Sequence, residues 1–328
     1  MTDPGRKSRS NANTPVTAHR REYERRVNRV IDYVQAHLAD ELTLEQLAAV
    51  AAFSPFHFHR IFVAITSETL SDFIRRIRLE RAASTLGLLR DTSVLEIAQR
   101  YGFESAAGFA RAFRSHFGMS ATQWRNGGAR QWSRKQSGTK RNPGQAVRNP
   151  GKAPPRPIRH DRTTRNSVDA MSIETREIAS CRVAYMRHVG PYGETGGIAT
   201  LWADFERWIR ARDLRRPDTQ TIGIGHDAPR IAAPDKLRYD ACVVVGDDFK
   251  PDRFVNVADL PGGRYAVAQF EGTSAGISEA WERLFTAWLP GSGYQPEDRP
   301  CLELYRMDEA QRARGALLCE LCIPVKPL

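Results

Sequence analysis

Residues 97–125 have the sequence IAQRYGFESAAGFARAFRSHFGMSATQWR, and this stretch decides the fold of the front of the chain. A glycine stands three residues before Ser105, an order typical of a turn that leads into a helix N-cap. Phe109, Phe113 and Phe117 follow at intervals of four residues, so they share one face of a helix. The stretch predicts a short helix, a tight turn and a second, amphipathic helix, which together form a helix-turn-helix unit.

The same arrangement occurs upstream, between residues 43 and 65. The short helix of each unit begins at a capping box, at Thr43 and at Ser93, where side chains bond the free backbone N–H groups. Residues 69–89 join the two units and have a helical pattern, which corresponds to a helix about 30 Å long. One turn of B-DNA measures about 34 Å, so this spacer would let both units enter successive major-groove segments.

The second helix of the upstream unit presents side chains that can contact bases. Phe58 and Phe62 have the inward spacing. Phe56, His59 and Arg60 then lie on the outer face. Arginine can form two hydrogen bonds to guanine, histidine can donate one, and phenylalanine can contact a thymine methyl group. We predict that these three outer residues read the DNA sequence.

The downstream unit exposes Arg111 and Arg114 among alanines, which cannot hydrogen-bond a base. Two interpretations stay open for this helix. It grips phosphates while the upstream helix reads the sequence, or the two helices share the readout. Both arginines are candidate DNA-binding residues in either case.

Charge divides the chain into three parts. The chain carries +11 overall, with 18 basic and 13 acidic side chains in residues 1–125, 11 and 1 in 126–168, and 20 and 24 in 169–328. A basic front and middle indicate a polyanionic partner, and a mildly acidic end indicates a different task. Residues 1–22 and 126–168 contain few apolar side chains, so we expect a disordered arm and a basic flexible linker on either side of a DNA-binding domain at 23–125.

Residues 169–328 change to short strands and amphipathic helices. The order strand, helix, strand, strand occurs twice, at an offset of about 80 residues. The first strands of the two repeats are predicted at 182–187 and 264–270, and the helices at 201–211 and 277–289. The predicted fold class is an all-α double helix-turn-helix domain followed by an α+β domain, in which two such units share one sheet.

The sequence has no motif for a metal ion, a cofactor or a catalytic nucleophile, so we expect none of these. Cys319 and Cys322 have CxxC spacing, but they lie in a strand-like run where residues three apart point to opposite faces. His57 and His59 diverge too far on a helix to bind one metal ion. No apolar run reaches the length of a membrane span and the first residues lack an export signal, so we expect a cytoplasmic protein without a membrane partner.

The front of the chain resembles the paired helix-turn-helix domain of AraC/XylS-type transcription regulators over residues 23–125. The positions that carry the resemblance are Ala98, Gly102, Phe103, Ser105, Phe109, Arg111, Phe113, Gly118 and Arg125. The resemblance implies base contacts by Phe56, His59, Arg60 and Arg111. The chain departs from the family pattern at Ala121, where proline is common, and at Ala106 and Ala107, where some members have polar readers.

Residues 169–328 are similar to GyrI-like effector-binding domains, which also follow the DNA-binding half in Rob-type regulators. The similarity rests on RHVGPY at 187–192, RYDACVVV at 238–245, CLELY at 301–305 and ELCIPV at 320–325. It implies a pocket for a small, aromatic or cationic molecule. It also implies an acidic residue that faces the ligand, at the position of Glu303.

The residues around Glu303 favour the same chemistry. Strand alternation puts Glu303 and Tyr305 on one face, and a carboxylate beside aromatic rings can bind an organic cation. The alternative is a solvated glutamate on a strand surface. We predict that Tyr192 and Trp202 also line the pocket. Three further aromatic residues could line it or belong to the core: Tyr185, Trp281 and Trp288.

These observations predict a DNA-binding transcription regulator whose action a small-molecule effector adjusts. The expected partners are double-stranded DNA, the effector and RNA polymerase. The alternative is that the last domain hydrolyses small electrophilic compounds, with Glu303 activating water. The favoured interpretation assigns no catalytic residue.

Overall fold

The structure, a computed structural model, describes residues 18–138, 172–192, 197–216, 219–305 and 317–328. The predicted arm lies outside these ranges up to residue 17, and the predicted linker lies outside them from residue 139 to 168. The described residues up to 138 are helical and form the front half of the protein. Those from 172 onward are built on a β-sheet and form the back half.

The front half confirms the predicted duplication. Its helices are α1 (Ala18–Ala36), α2 (Leu44–Val50), α3 (Pro55–Thr66), α4 (Leu70–Leu88), α5 (Val94–Arg100), α6 (Ala106–Phe117), α7 (Ala121–Gln123) and α8 (Ala129–Gly138). Helices α2 and α3 form the first helix-turn-helix unit, α5 and α6 form the second, and α4 joins them. Thr43 forms a complete capping box at α2, and the Ser93 hydroxyl accepts the Glu96 N–H at α5.

One apolar core holds the front half together. Val27, Val30 and Val34 of α1 are fully buried, at the three- and four-residue spacing of a helix face. Phe58 and Phe113, from the second helix of each unit, are also fully buried and belong to the same cluster. Burial of these aromatic side chains, worth about 1.5 to 3 kcal/mol each, fixes the outward direction of the opposite faces.

The predicted linker needs one correction, because its first part is helical. Helix α8 occupies residues 129–138, and the sequence there is anchored by Trp132. The Trp132 ring lies against Phe117 with ring centroids 5.2 Å apart, and its N–H donates to the Ile231 carbonyl at 3.2 Å. Trp132, a large apolar side chain in a polar segment, thus packs helix α8 against the rest of the protein. Helix α1 likewise begins at Ala18, within the predicted arm.

The back half is one antiparallel sheet with two long helices. The elements are β1 (Ile173–Ile178), β2 (Cys181–Val189), α9 (Ile198–Ala211), β3 (Thr221–Gly225), β4 (Arg238–Val245), β5 (Asn256–Leu260), β6 (Gly263–Gly272), α10 (Ser274–Arg283), β7 (Tyr294–Pro296), β8 (Leu302–Tyr305) and β9 (Leu317–Pro327). Among the described residues the strand order is β1-β6-β9-β8-β3-β4-β2-β5, and β7 pairs with β9. The two predicted units, β2-α9-β3-β4 and β6-α10-β8-β9, are therefore related about the central pair β3 and β8.

The two faces of the sheet have different neighbours. Helices α9 and α10 cover one face, where Phe205 of α9 shares an apolar cluster with Ala241, and Ala280 of α10 shares another with Leu321. The front half lies against the opposite face. There the Arg187 guanidinium of β2 donates to the Asp32 carboxylate of α1 at 2.8 Å. Strand β4 serves both faces, because successive residues alternate between them.

In the part of the chain that the structure describes, no single helix is long and apolar enough to cross a membrane. Helices α2 and α3 reach the required composition only as a pair, and that pair is bent by 75°.

Candidate DNA-reading and ligand-binding sites

Helix α3 presents the three predicted reading residues on its outer face. The Phe56 side chain is 69% exposed, and His59 and Arg60 are exposed as well. The Arg60 guanidinium lies over the Phe56 ring, 5.0 Å from its centroid. This cation–π contact orients the guanidinium without using its hydrogen-bond donors. The predicted orientation is confirmed, and contact with DNA stays a prediction.

Helix α6 has the same inward and outward division. Arg111 and Arg114 are exposed, and so are Ala106 and Ala107 at the start of the helix. The Ser105 hydroxyl accepts the Gly108 N–H at 3.1 Å and caps the helix. The exposed surface of α6 therefore offers two guanidinium groups among small apolar side chains. Such a surface suits contact with phosphates better than the reading of bases.

Helix α4 connects the two units rigidly. It contains 19 residues, which corresponds to a length of roughly 28 Å. Arg78 on α4 donates to the Gly102 carbonyl at 3.0 Å and to the Asp40 carbonyl at 2.7 Å, so it binds the turn of the second unit and the segment before the first. The Trp124 indole N–H donates to the Ala83 carbonyl at 2.9 Å. These bonds fix the separation of α3 and α6.

The ligand candidate Glu303 lies on the central strand β8 and faces the side of the sheet that α9 and α10 cover. Its residue is only 7% exposed, so it is not a solvated surface glutamate. One carboxylate oxygen accepts hydrogen bonds from the Tyr239 hydroxyl at 2.6 Å and the Tyr305 hydroxyl at 2.8 Å. The other accepts the Trp281 indole N–H at 2.9 Å. The carboxylate is thus held by three neutral donors on three different elements.

The donors around Glu303 stay protonated. Burial raises the pKa of Tyr239 and of Tyr305 well above the ordinary value, and the adjacent Glu303 charge raises both further. Among the described residues no lysine or arginine lies within ion-pair distance of the Glu303 carboxylate. A carboxylate in this position can bind a cationic ligand through its charge, and the neighbouring rings add cation–π attraction.

Aromatic rings surround this carboxylate. The Trp202 ring of α9 lies edge-on to Tyr305, with centroids 5.2 Å apart. The Tyr192 ring lies 6.0 Å from the Tyr239 ring, and its hydroxyl donates to the Arg238 carbonyl. Of the predicted lining residues, Tyr305 bonds Glu303 directly. Trp202 lies against Tyr305 and Tyr192 against Tyr239, the two tyrosines that bond the carboxylate.

The three remaining aromatic candidates divide into one residue at the Glu303 site and two residues of the core. Trp281 bonds Glu303, so it belongs to the site, whereas Trp288 packs on the α10 side of the core. Tyr185 is buried on the opposite face of the sheet, where its hydroxyl donates to Asp32. Tyr239 is the residue that the sequence reasoning missed. Strand alternation along RYDACVVV puts Tyr239 on the other face of the sheet from Arg238 and Asp240, and this pattern could have identified it.

The cysteine pair lies in a strand, as predicted. Cys319 and Cys322 are both in β9 and belong to different apolar clusters on the two faces of the sheet. In the described ranges no group of three or more His, Cys, Asp or Glu side chains is arranged to hold a metal ion.

Two family models match the chain, one in each half. A model described as a helix-turn-helix domain matches residues 47–127. A model described as a GyrI-like small molecule binding domain matches residues 171–326. The two matches coincide with the helical front half and the sheet-based back half.

Named relatives match one half or the other. The back half is 30% identical over 156 residues to the protein YosT of the SPbeta prophage of Bacillus subtilis (strain 168), a transcriptional regulator by name, with 48% of this chain and 100% of that protein covered. It is 30% identical over 160 residues to a DNA gyrase inhibitor of Edwardsiella piscicida, with 48% and 99% covered. The front half is 33% identical over 104 residues to PqrA of Proteus vulgaris, a transcription factor by name, with 31% and 84% covered. Among solved structures, the EcmrR C-terminal domain is 16% identical, with 48% of this chain and 99% of that chain covered and a TM-score of 0.40.

Proposed function

Because the chain belongs to the AraC-type helix-turn-helix regulators and carries a C-terminal GyrI-like small-molecule-binding domain, we propose that it binds DNA with α3 and α6 and an aromatic cation at Glu303. The family establishes a DNA-binding regulator that a ligand modulates. The residues that perform each step and the charge of the ligand are the new part of the proposal.

The DNA-binding half of the proposal rests on the exposed face of α3. Phe56, His59 and Arg60 combine an apolar contact, a hydrogen-bond donor and a bidentate donor on one outward surface. Arg111 and Arg114 on α6 supply positive charge one spacer helix away. We assign sequence readout to α3 and phosphate contact to α6, as one of the two interpretations that the sequence left open.

The single observation that carries the ligand half is the bonding of Glu303. Its carboxylate is buried, is held in place by Tyr239, Tyr305 and Trp281, and lies beside aromatic rings. An aromatic cation supplies the missing positive charge and stacks on the rings, whereas a neutral molecule of the same shape supplies only the stacking.

We assign binding rather than turnover to this domain. Three fixed neutral donors hold both oxygens of Glu303, an arrangement that suits a carboxylate which binds a charged ligand. Hydrolysis of a small electrophile is the competing function. We also propose RNA polymerase as a partner, since a regulator bound at a promoter lies beside it.

Two measurements on the full chain test the proposal. Selection from a random pool of duplex DNA should enrich one site, protected over two successive major-groove segments on one face. Calorimetry should show binding of tetraphenylphosphonium and much weaker binding of the neutral triphenylphosphine oxide. No enriched sequence, or equal affinity for the two compounds, would refute the corresponding half. Release of product from styrene oxide, abolished in Glu303→Gln, would instead establish the hydrolase.

A further inference from the structure

The floor of the Glu303 site is formed by the hairpin of β3 and β4. Gly223 of β3 pairs with Glu303 of β8 on one side and with Ala241 of β4 on the other. A Cβ atom added at Gly223 would lie 2.1 Å from the Tyr239 hydroxyl oxygen and 2.7 Å from the Glu303 carboxylate. The site and the hairpin are therefore in direct contact, and a molecule that separates Tyr239 from Glu303 must displace one of them.

The loop 226–237 that joins β3 to β4 is tied firmly to the hairpin. Asp227 accepts the backbone N–H of Arg238 at 2.9 Å and its guanidinium Nε at 2.8 Å. Burial alone would raise the pKa of Asp227, but the charge and hydrogen bonds of Arg238 lower it, so the pair stays ionised. Arg238 is 2% exposed and immediately precedes Tyr239 in β4. A displacement of Tyr239 would therefore also move Arg238 and, through the Asp227–Arg238 ion pair, the loop.

The end of the loop next to β4 contacts the C-terminal end of α3. Lys236 donates to the Thr66 carbonyl at 2.9 Å, and its ammonium lies 2.9 Å from the Glu68 carboxylate. Thr66 is the last residue of α3, and terminal carbonyls of a helix have no partner within the helix. A positive charge there also stabilises the helix through its dipole. Glu68 is fixed in turn by Arg76 of α4 at 2.8 Å.

We propose that the loop 226–237 couples the Glu303 site to DNA reading, with Lys236 as the positioning residue for α3. The inference rests on the proposed function of Glu303 as the ligand site. A ligand that moves the β3–β4 hairpin shifts Lys236 and with it the end of α3. The orientation of Phe56, His59 and Arg60 at the other end of the same rigid helix changes accordingly.

The first test is the coupling factor, which is the ratio of the DNA dissociation constants with and without saturating tetraphenylphosphonium, measured on the full chain. We expect about fivefold or more for the unmodified protein and less than about twofold for Lys236→Ala, while calorimetry gives the same tetraphenylphosphonium affinity for both. Lys236→Arg should restore the factor, because it keeps a charged donor. The matched control Lys326→Ala changes an exposed lysine of the same domain and should keep the full factor. An undiminished factor in Lys236→Ala would overturn the proposal.

A second test needs no ligand, so it stands even if Glu303 binds no cation. Gly223→Ala inserts a methyl group between Tyr239 and Glu303, and Tyr239→Phe removes their hydrogen bond with less disturbance. We expect either change to raise amide hydrogen exchange several-fold at residues 63–68 in the full chain, and to add nothing when Lys236→Ala is already present. Unchanged exchange at 63–68 in both variants, or an equal rise without Lys236, would overturn the proposal. Failure of tetraphenylphosphonium to bind would refute only the proposed ligand.

Discussion

At the scale of single residues, Glu303 shows how a carboxylate can lie inside a protein with no basic side chain of the described residues in contact. Two tyrosine hydroxyls and an indole N–H provide its hydrogen bonds. Neutral donors satisfy the oxygens but carry no compensating positive charge. Under the proposed function, a bound cation would compensate this charge and recover the stability that its burial costs.

Glu303→Gln should weaken cation binding selectively. The amide keeps an acceptor for the tyrosines but has no charge, so the rise in melting temperature that tetraphenylphosphonium produces should shrink. The response to triphenylphosphine oxide should stay the same. Glu174→Gln, at an exposed site on β1, is the matched control. An equal response of Glu303→Gln and the unmodified protein to the cation would show that the carboxylate does not face the ligand.

Arg60→Ala should reduce affinity for the selected DNA site by about 1 to 3 kcal/mol and relax preference at one or two base positions. The reason is the loss of a bidentate donor from the exposed face of α3. Arg114→Ala on α6 is the comparison, and it should weaken binding to all sequences alike. Titration of both variants against single-base changes in the site separates the two roles. A uniform loss in Arg60→Ala would reassign it to phosphate contact.

Glu80 of α4 should make stability depend on pH. Burial raises its pKa from 4.5 to about 7, although Arg76 at 3.1 Å opposes the rise and Asp227 adds to it. The folded protein then binds more protons than the unfolded chain between these two values, so stability falls as pH rises through this window. The loss amounts to about 3 kcal/mol at most.

Glu80→Gln should remove this pH dependence, because the amide does not titrate and still accepts from Arg76. Denaturant titrations at pH 5 and pH 8 should show the variant gaining stability relative to the unmodified protein at the higher pH. Glu96→Gln, with a side chain that is 60% exposed on α5, serves as the control. A constant difference between Glu80→Gln and the unmodified protein at both pH values would mean that Glu80 is ionised throughout.

At the scale of elements, the sequence predicted the features that depend on neighbouring residues, namely helix starts and the buried faces of helices and strands. The helix starts at Thr43 and Ser93 follow from their own hydroxyls, and the inward phenylalanines follow from helical spacing. Strand alternation likewise placed Glu303 and Tyr305 on one face. The loop 226–237 and helix α8 were not predicted, because their positions depend on contacts with the other half of the chain rather than on their own sequence.

The turn between α5 and α6 should tolerate only glycine at residue 102. Gly102 has a φ of +76°, and a Cβ there would lie 2.6 Å from the Leu38 carbonyl oxygen. Gly102→Ala should therefore destabilise the protein by about 1 to 3 kcal/mol. Gly87→Ala is the control, because Gly87 is helical and a Cβ there has open space. Denaturant titration of Gly87→Ala should show a small gain in stability, up to about 1 kcal/mol. Equal effects of the two substitutions would contradict this account of the turn.

At the scale of the whole molecule, the two halves form an extensive polar interface. Arg187 is almost completely buried between Asp240 of its own domain at 2.7 Å and Asp32 of the front half at 2.8 Å. Burial alone would lower the pKa of Arg187, but both carboxylates raise it, so the arginine stays charged. Truncation of one partner in such a group leaves a buried charge uncompensated. The interface therefore favours one arrangement of the two halves.

This packing is what the sequence could not predict. Composition indicated a flexible linker between two separate tasks, and residues 139–168 lie outside the described ranges. The interface residues are scattered charged side chains, such as Asp32, Lys236 and Asp240, which resemble ordinary surface residues until the fold brings them together. Long-range ion pairs leave no periodic signal in a single sequence.

The central claim, that the ligand site and the DNA-reading surface affect each other, is tested most directly by reciprocal binding. Calorimetry on the full chain should measure tetraphenylphosphonium affinity with and without saturating amounts of its selected DNA site. Linkage requires DNA to change the affinity for the cation by the same factor, about fivefold or more, by which the cation changes the affinity for DNA. We predict two equal factors of that size. Identical cation affinity with and without DNA would contradict the account.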